Sequence, residues 1–483
     1  MSGTQNDKRL DIQLLRAVSV LAVIWYHLDP KSLGGGYLGV DVFFVISGYL
    51  ITRIFLKSEG KFSIKAFYKR RVCRLFPALL GVLLIVFAYT VLVMQPVAFL
   101  ESIRSLAYSG LQIANFYFIQ GTGYFEGSHD NSPLLHCWSL GVEEQFYLFW
   151  APFYLLLWNK CKNSSPRLWV VVLWIAIGSL AIDIALKLIE PKAAFYLPLP
   201  RAWELLLGAI LALTEKNNSA RRSPLFWWIG VSVILISLFF GKSEGMLDLV
   251  SRLFACTGAA ICLRHRNLLK SKLWRPWTYI GDISYSLYLW HWPIICLAGL
   301  HGVFADQWQT ILILIGASLF MGVVSFHGIE EVWRKRQSKG LLRFWLAAMI
   351  AITAAALFLE GSKNATWRVS PSFETENYVR PESIRNVDEL RREGITIEQA
   401  LLPETTQRQV ALLVGDSHAG HFLPLVETWA EATGHQLELY QQGASLSFSE
   451  NIRSIEIDPD GTVAKNLSFA DRAQYLRSYI NEA

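Results

Sequence analysis

Apolar runs long enough to cross a bilayer recur along most of this chain, separated by short polar stretches. They fall at 12–28, 38–56, 77–94, 141–158, 168–188, 200–213, 225–240, 248–263, 281–301, 309–330 and 342–360. A helix rises about 1.5 Å per residue, so roughly 20 apolar residues match the ~30 Å hydrocarbon layer. The pattern predicts a polytopic α-helical membrane protein of about eleven spans, the sixth of them short. A weaker run at 98–118 reads as a re-entrant or further spanning segment. Beyond 360 the pattern changes. Residues 361–408 are polar and mixed in charge, as in a linker or extension. Gln409–Val414 then reads as a strand, Gly415-Asp416-Ser417-His418 breaks it, His421–Thr433 has helical spacing, and Gln436–Tyr440 reads as a second strand. Strand, turn, helix and strand in that order open an α/β fold.

The charges sort by loop. With the N-terminus inside, the inner segments hold 25 Lys and Arg and the outer loops only Lys31, Arg104, Lys192 and Lys242. That bias sets the N-terminus in the cytoplasm and the C-terminal segment outside, with an odd number of spans before it. The net charge of +6 is thereby explained by topology and gives no reason to expect a nucleic-acid partner. Composition agrees, since 53% hydrophobic against 17% charged residues excludes a chain of two or three soluble domains. The first apolar run carries Arg16 and His27 and lacks a small-residue cleavage site, so it is not a cleaved signal peptide. The six cysteines form no CxxC and no zinc spacing, and none lies after residue 300. They read as structural thiols, with no metal and no disulfide staple in the tail.

Ionisable residues inside spans are costly and are therefore functional candidates. Arg16 and His27 share the first span, about 16 Å apart along its axis at 1.5 Å per residue. The bland account is an inward-snorkelling Arg and an interfacial His. Arg71 and Arg74 lie in a basic cluster before Pro77, at a spacing that puts both on one helix face. Such a cluster serves as a topology or headgroup signal, or as a clamp for phosphate oxygens. Glu143 and Glu144 open an apolar helix after an outer-loop His136. One suits the helix dipole; two together suggest a polar cavity, where a carboxylate orients an imidazole such as His27. Asp41, Arg201, Glu204 and Arg252 are lesser candidates. Tyr285, Tyr288, His291 and Trp292 fit packing or interface anchoring. Ser417 sits at the strand-to-helix turn of the tail, where its hydroxyl either faces an oxyanion-binding helix N-terminus or merely caps it.

Several of these motifs occur in the order of a known family. Arg16-x10-His27, the Gly39-Val-Asp41-Val-Phe-Phe run through Gly48-Tyr49, Arg71-x-x-Arg74, Trp138-Ser-Leu-Gly-Val-Glu143-Glu144-Gln-Phe-Tyr147 and Tyr285-Ser-Leu-Tyr288-Leu-Trp-His291-Trp-Pro293 resemble the membrane acyltransferase-3 family. The resemblance implies an acyltransferase-3 membrane domain at 8–335, an extra spanning helix at 342–360, a linker at 361–408 and a partial SGNH-like α/β/α segment at 409–483. Fusions of this type imply transfer of acetyl from cytoplasmic acetyl-CoA to hydroxyls of a surface polysaccharide or lipid-linked glycan. O-antigen is the first expectation and peptidoglycan the alternative. A transporter or flippase is the rival class. The chain would then lie among the lipids of a bacterial inner (cytoplasmic) membrane. By the same resemblance His27, Glu143 and Glu144 would be catalytic, and Arg16, Arg71 and Arg74 would hold the acetyl-CoA phosphates, with Asp41 in support. In the tail, Ser417 matches the SGNH nucleophile, Asp416 its motif and Gly443 the oxyanion glycine. The tail departs from the pattern, because no Asp-x-x-His occurs in the chain and no His follows His435. A stretch this short is expected to be truncated or not competent as a serine esterase.

Overall fold

The computed structural model describes residues 9–58, 63–94, 96–120, 132–161, 165–215, 221–243, 245–266, 272–301, 303, 305, 307–335 and 339–360, and five short strands between 385 and 464. Contacts divide the chain into a helical unit (1–122 and 128–374) and a second unit (123–127 and 375–483).

The helical unit holds α1 (Leu10–Leu28), α2 (Gly39–Lys57), α3 (Ile64–Leu92), α4 (Pro96–Gly110), α5 (Ala114–Gln120) and α6 (Cys137–Lys160). It continues with α7 (Ser165–Ile189), α8 (Pro191–Tyr196), α9 (Pro198–Thr214), α10 (Pro224–Phe240) and α11 (Gly245–Arg264). The last four are α12 (Arg275–Leu300), α13 (Trp308–Ser325), α14 (Glu331–Lys335) and α15 (Lys339–Glu360). Among the described residues nine helical stretches are long and apolar enough to cross a membrane, and each coincides with an expected span. The two other expected spans fall in α6 and α10, and α10 has only 17 residues. The weak run at 98–118 resolves into α4 and α5, 15 and 7 residues long, too short to count as spans. Exposed side chains support the same conclusion. Leu148, Phe149, Phe153 and Leu156 of α6, Leu225, Phe239 and Phe240 of α10, and Ile313 and Phe320 of α13 all face outward. Apolar faces this wide belong in lipid, not water. The chain is a multi-pass helical membrane protein.

Lipid supplies little hydrophobic drive between helices, so close backbone approach carries the packing. A Cβ at Gly48 of α2 would collide with the Leu205 carbonyl of α9, and one at Gly208 of α9 with the Val45 carbonyl of α2. α1 and α12 meet the same way, where Gly281 lies against the Gln13 carbonyl. Their other end is joined at His27 and His291, so the two helices run side by side in one direction. After α13 the backbone widens into a π-helical turn, Phe326–Glu330, which carries the buried Glu330. Such turns often present functional side chains.

In the second unit the strands 410–415 and 436–441 pair in parallel, with 385–386 on the far side of 436–441. Parallel pairing needs a crossover between the strands. Asp416, Ser417, Gly443 and the expected helix His421–Thr433 lie outside the described residues.

Candidate functional site

A cavity of about 700 Å³ opens within the helical unit, in the range that holds drug-sized ligands. Among the described residues its wall includes Arg9, Arg16 of α1, Arg53 and Lys57 of α2, and Arg71 and Arg74 of α3, against two carboxylates, Glu143 and Glu144 of α6. These cations come from the first turns of α1 and α3 and the last turns of α2, so they gather at one end of the bundle. Apolar side chains such as Phe43, Leu50, Leu75 and Leu79 line the remainder, and Ser139, Tyr285 and Tyr288 lie further along.

The cations are held in place in different ways. Arg9 is bound by Asp11 at 2.8 Å, by the Tyr49 hydroxyl at 3.0 Å and by the Leu263 carbonyl at 3.2 Å. Arg71 lies 3.4 Å over the Tyr147 ring, with Glu144 at 3.3 Å. Arg74 faces Glu330 at 3.8 Å, while Ser286 donates to Glu330 at 2.9 Å. Arg16 reaches Gln13 at 3.3 Å. Glu143 accepts from the hydroxyls of Ser47 and Tyr147.

The cavity wall at Tyr288 is shared with a second cluster. The Tyr288 hydroxyl meets Ser139 Oγ at 2.7 Å and donates to the His136 carbonyl at 3.1 Å. Its ring centroid lies 5.1 Å from that of His291 and 5.5 Å from that of His136. His291 is fully buried, with Nδ1 2.6 Å from the Tyr288 carbonyl and Nε2 3.1 Å from His27 Nδ1. His27 is half-buried, stacks on His291 and packs against Trp292 at 4.6 Å. Trp292 is itself fixed by donating to the Ser132 carbonyl at 2.8 Å. Three imidazoles thus meet, yet among the described residues no group of His, Cys, Asp or Glu has an arrangement that could hold a metal ion.

The structure therefore gathers Arg16, Arg71, Arg74, Glu143 and Glu144 on one cavity and sets His27 beyond its wall. One expectation is corrected. Neither carboxylate orients His27: Glu143 is engaged by Ser47 and Tyr147 and Glu144 by Arg71, while the ring partner of His27 is His291. Asp41 lies off the cavity. It pairs with Arg201 at 3.0 Å in a buried network of Arg201, Glu204, Arg252, Asp183, Asp248 and Lys187. Arg201 also faces Phe44, Trp138 and Phe195. Sequence reasoning missed Arg9, Arg53 and Lys57 as cavity cations, Glu330 altogether, and His291 as more than packing. The ionisable character of His291 within an aromatic span was the signal available for it.

Comparison with known proteins bears on this arrangement. The model of the acyltransferase domain family matches residues 9–330, about two thirds of the chain. The match spans every cavity residue named above, the three histidines and Glu330. The chain is 32% identical over 355 residues to a putative peptidoglycan O-acetyltransferase, YrhL, of Bacillus subtilis, covering 68% of this chain and 55% of that protein. It is 33% identical over 347 residues to the peptidoglycan O-acetyltransferase OatA of Listeria monocytogenes, covering 66% and 55%. It is 29% identical over 437 residues to the O-acetyltransferase OatA of Staphylococcus aureus, covering 83% and 71%. Matched residues thus span little more than half the length of the first two relatives. No solved structure matches the chain.

Proposed function

The chain belongs to the acyltransferase family, and from that premise we propose that it moves acetyl groups from acetyl-CoA to hydroxyls of a cell-wall glycan. The observation that carries the reading is the cavity, with six cations at one end and a wall at the other that is shared with the histidine cluster. Acetyl-CoA is a polyanion with a long, weakly polar arm ending in a thioester. Guanidinium forks suit its phosphates. The arm follows the apolar stretch toward Ser139 and Tyr288.

His27 then stands where the thioester carbon must arrive for transfer across the bilayer. Either it takes the proton of an acceptor hydroxyl as that oxygen attacks the carbonyl, or it attacks first and passes the acetyl on. In both cases the thiolate leaves with CoA and is protonated to the thiol. Glu143 and Glu144 stay on the donor side, where they set the positions of Tyr147 and Arg71. With the positive-inside orientation the cavity opens to the cytoplasm and His27 lies toward the outside of the cytoplasmic membrane. The names of the relatives favour peptidoglycan as acceptor over O-antigen. In the tail Ser417, with Asp416 and Gly443, remains the proposed relay to the glycan in a longer form of the protein.

The test couples binding to chemistry. Purified protein should bind acetyl-CoA, and cells expressing it should carry O-acetyl groups on muropeptides that vanish in His27→Ala while acetyl-CoA binding persists. Full acetylation by His27→Ala would remove the histidine from the mechanism, and absence of acetyl-CoA binding by the wild type would overturn the reading.

A further inference from the structure

Two hydrogen-bond distances fix more about the histidine pair than its proximity. His291 Nδ1 is 2.6 Å from the Tyr288 carbonyl oxygen, which can only accept. The hydrogen therefore sits on His291 Nδ1. His291 is fully buried, and its ring neighbours are His27, His136 and Tyr288, none of them a carboxylate. A buried imidazolium without an anion is expensive, so His291 is neutral and its Nε2 holds a lone pair. That lone pair is 3.1 Å from His27 Nδ1, so His27 Nδ1 is the donor between them. His27 is left with its own lone pair on Nε2, and Nε2 has no partner among the described residues.

We propose that His291 is the positioning residue of the transfer reaction: anchored by the Tyr288 carbonyl, it fixes His27 in the tautomer whose Nε2 is the free base or nucleophile. The inference rests on the acetyl-transfer reading for its consequence, but not for its geometry. Its physical sense follows from the site. An orienting carboxylate would put a charge into the apolar wall beside the thioester, whereas a neutral imidazole held by a backbone carbonyl fixes the same tautomer without one. Neighbouring contacts serve that end. Trp292 packs against the His27 ring at 4.6 Å, and close packing of α1 on α12 at Gly281 keeps the two histidines in register.

The experiment uses histidine labelled with ¹⁵N in the full chain, with the His27 signals assigned by their loss in His27→Ala. Wild type should show His27 Nδ1 protonated and Nε2 unprotonated. Two variants of equal chain length then separate hydrogen bonding from packing. His291→Gln keeps an acceptor in place of Nε2; His291→Met does not. Acetyl release by His291→Gln should stay within several-fold of wild type. His291→Met should lose about a hundredfold or more in kcat, in keeping with the weight of a positioned base. KM for acetyl-CoA should hold in both, since the basic cavity is untouched, and acetyl-CoA binding reports that each variant is folded. A protonated His27 Nε2 in the wild type, or equal turnover by the Gln and Met variants, would overturn the inference. The expected tautomer in a wild type that turns over no acetyl-CoA would uphold the positioning and sink the functional reading instead.

Discussion

Two sets of arginines occupy this membrane protein, and opposite responses to substitution should separate them. Arg252 is fully buried and holds Asp183 at 2.9 Å, Glu204 at 3.2 Å and Asp248 at 3.0 Å. Arg252→Met strips one cation from three carboxylates in a dry site. Removing one partner of a buried pair costs about 3–5 kcal/mol, because the charges left behind stay buried. Arg74 is 41% exposed, and its nearest carboxylate, on Glu330, is 3.8 Å away. Arg74→Ala should cost less stability than Arg252→Met, because Arg74 is half-exposed and takes a partner from one buried carboxylate, Glu330, which Ser286 also holds. It would remove a charge-assisted contact to a phosphate, worth about 1.5–3 kcal/mol, or roughly ten- to a hundredfold in Kd. Melting can be followed with a thiol-reactive fluorophore, since Cys73, Cys137, Cys256, Cys262 and Cys296 are buried thiols that unfolding exposes. Arg252→Met should melt well below wild type yet bind acetyl-CoA with unchanged Kd while folded. Arg74→Ala should melt above Arg252→Met and bind weakly. Weakened binding in Arg252→Met with no loss of melting temperature would refute the division and place the network in the site.

Gly281→Val should drive α1 from α12, because the new side chain meets the Gln13 backbone, which cannot yield. Acetyl release should fall with the stability, whereas Gly178→Val, where nothing lies within 4 Å, should leave both unchanged; full turnover by Gly281→Val would mean the helix contact does not set the histidine pair. Reporter fusions at Lys61 should read cytoplasm and those at Gly127 and Asn364 outside, and an outside signal at Lys61 would invert the orientation, since the loop it marks holds seven Lys and Arg from Lys57 to Arg74.

The spans were legible because a 20-residue apolar run admits few other readings, and the nine clear ones coincide with helices. Those in α6 and α10 fall short for different reasons. α6 turns Glu143, Glu144 and Tyr147 toward the cavity and so dilutes its own apolar character, while α10 is merely short. Arg16, Arg71 and Arg74 stood out as charges in or beside apolar runs, and all three line the cavity. Pairings were not legible. His27 and His291 lie 264 residues apart, and nothing local says that α1 meets α12. In motif order Glu143 and Glu144 read as partners for His27, but the helix face that carries them turns to Arg71 and Ser47. Arg201, Glu204 and Arg252 looked like separate candidates because sequence gives charge without contact; folding closes them into one network. Glu330 was hidden at the end of a span, where a carboxylate ordinarily meets water, and the π-helical turn buries it instead.

Polar groups survive within this bundle in three ways, and each suits a different task. The network of Asp41, Asp183, Arg201, Glu204 and Arg252 pairs buried cations with buried carboxylates and so ties α2, α7, α9 and α11 together. Among the described residues six cations line the cavity against two carboxylates, and with Asp11 on Arg9 and Glu330 near Arg74 an excess of cations remains, which suits water or a polyanion. Between the cavity and His27, among the described residues, lie the Ser139 and Tyr288 hydroxyls, the His136 and Tyr288 carbonyls and the imidazoles. A charge there would either draw water to the thioester or hold CoA too tightly to release it. In the proposed reaction a wall of neutral groups would let the arginines hold the phosphates while the acetyl end meets His27, so donor binding and transfer would be governed by separate side chains. That separation is why KM and kcat are expected to respond to different residues, Arg74 for the first and His291 for the second.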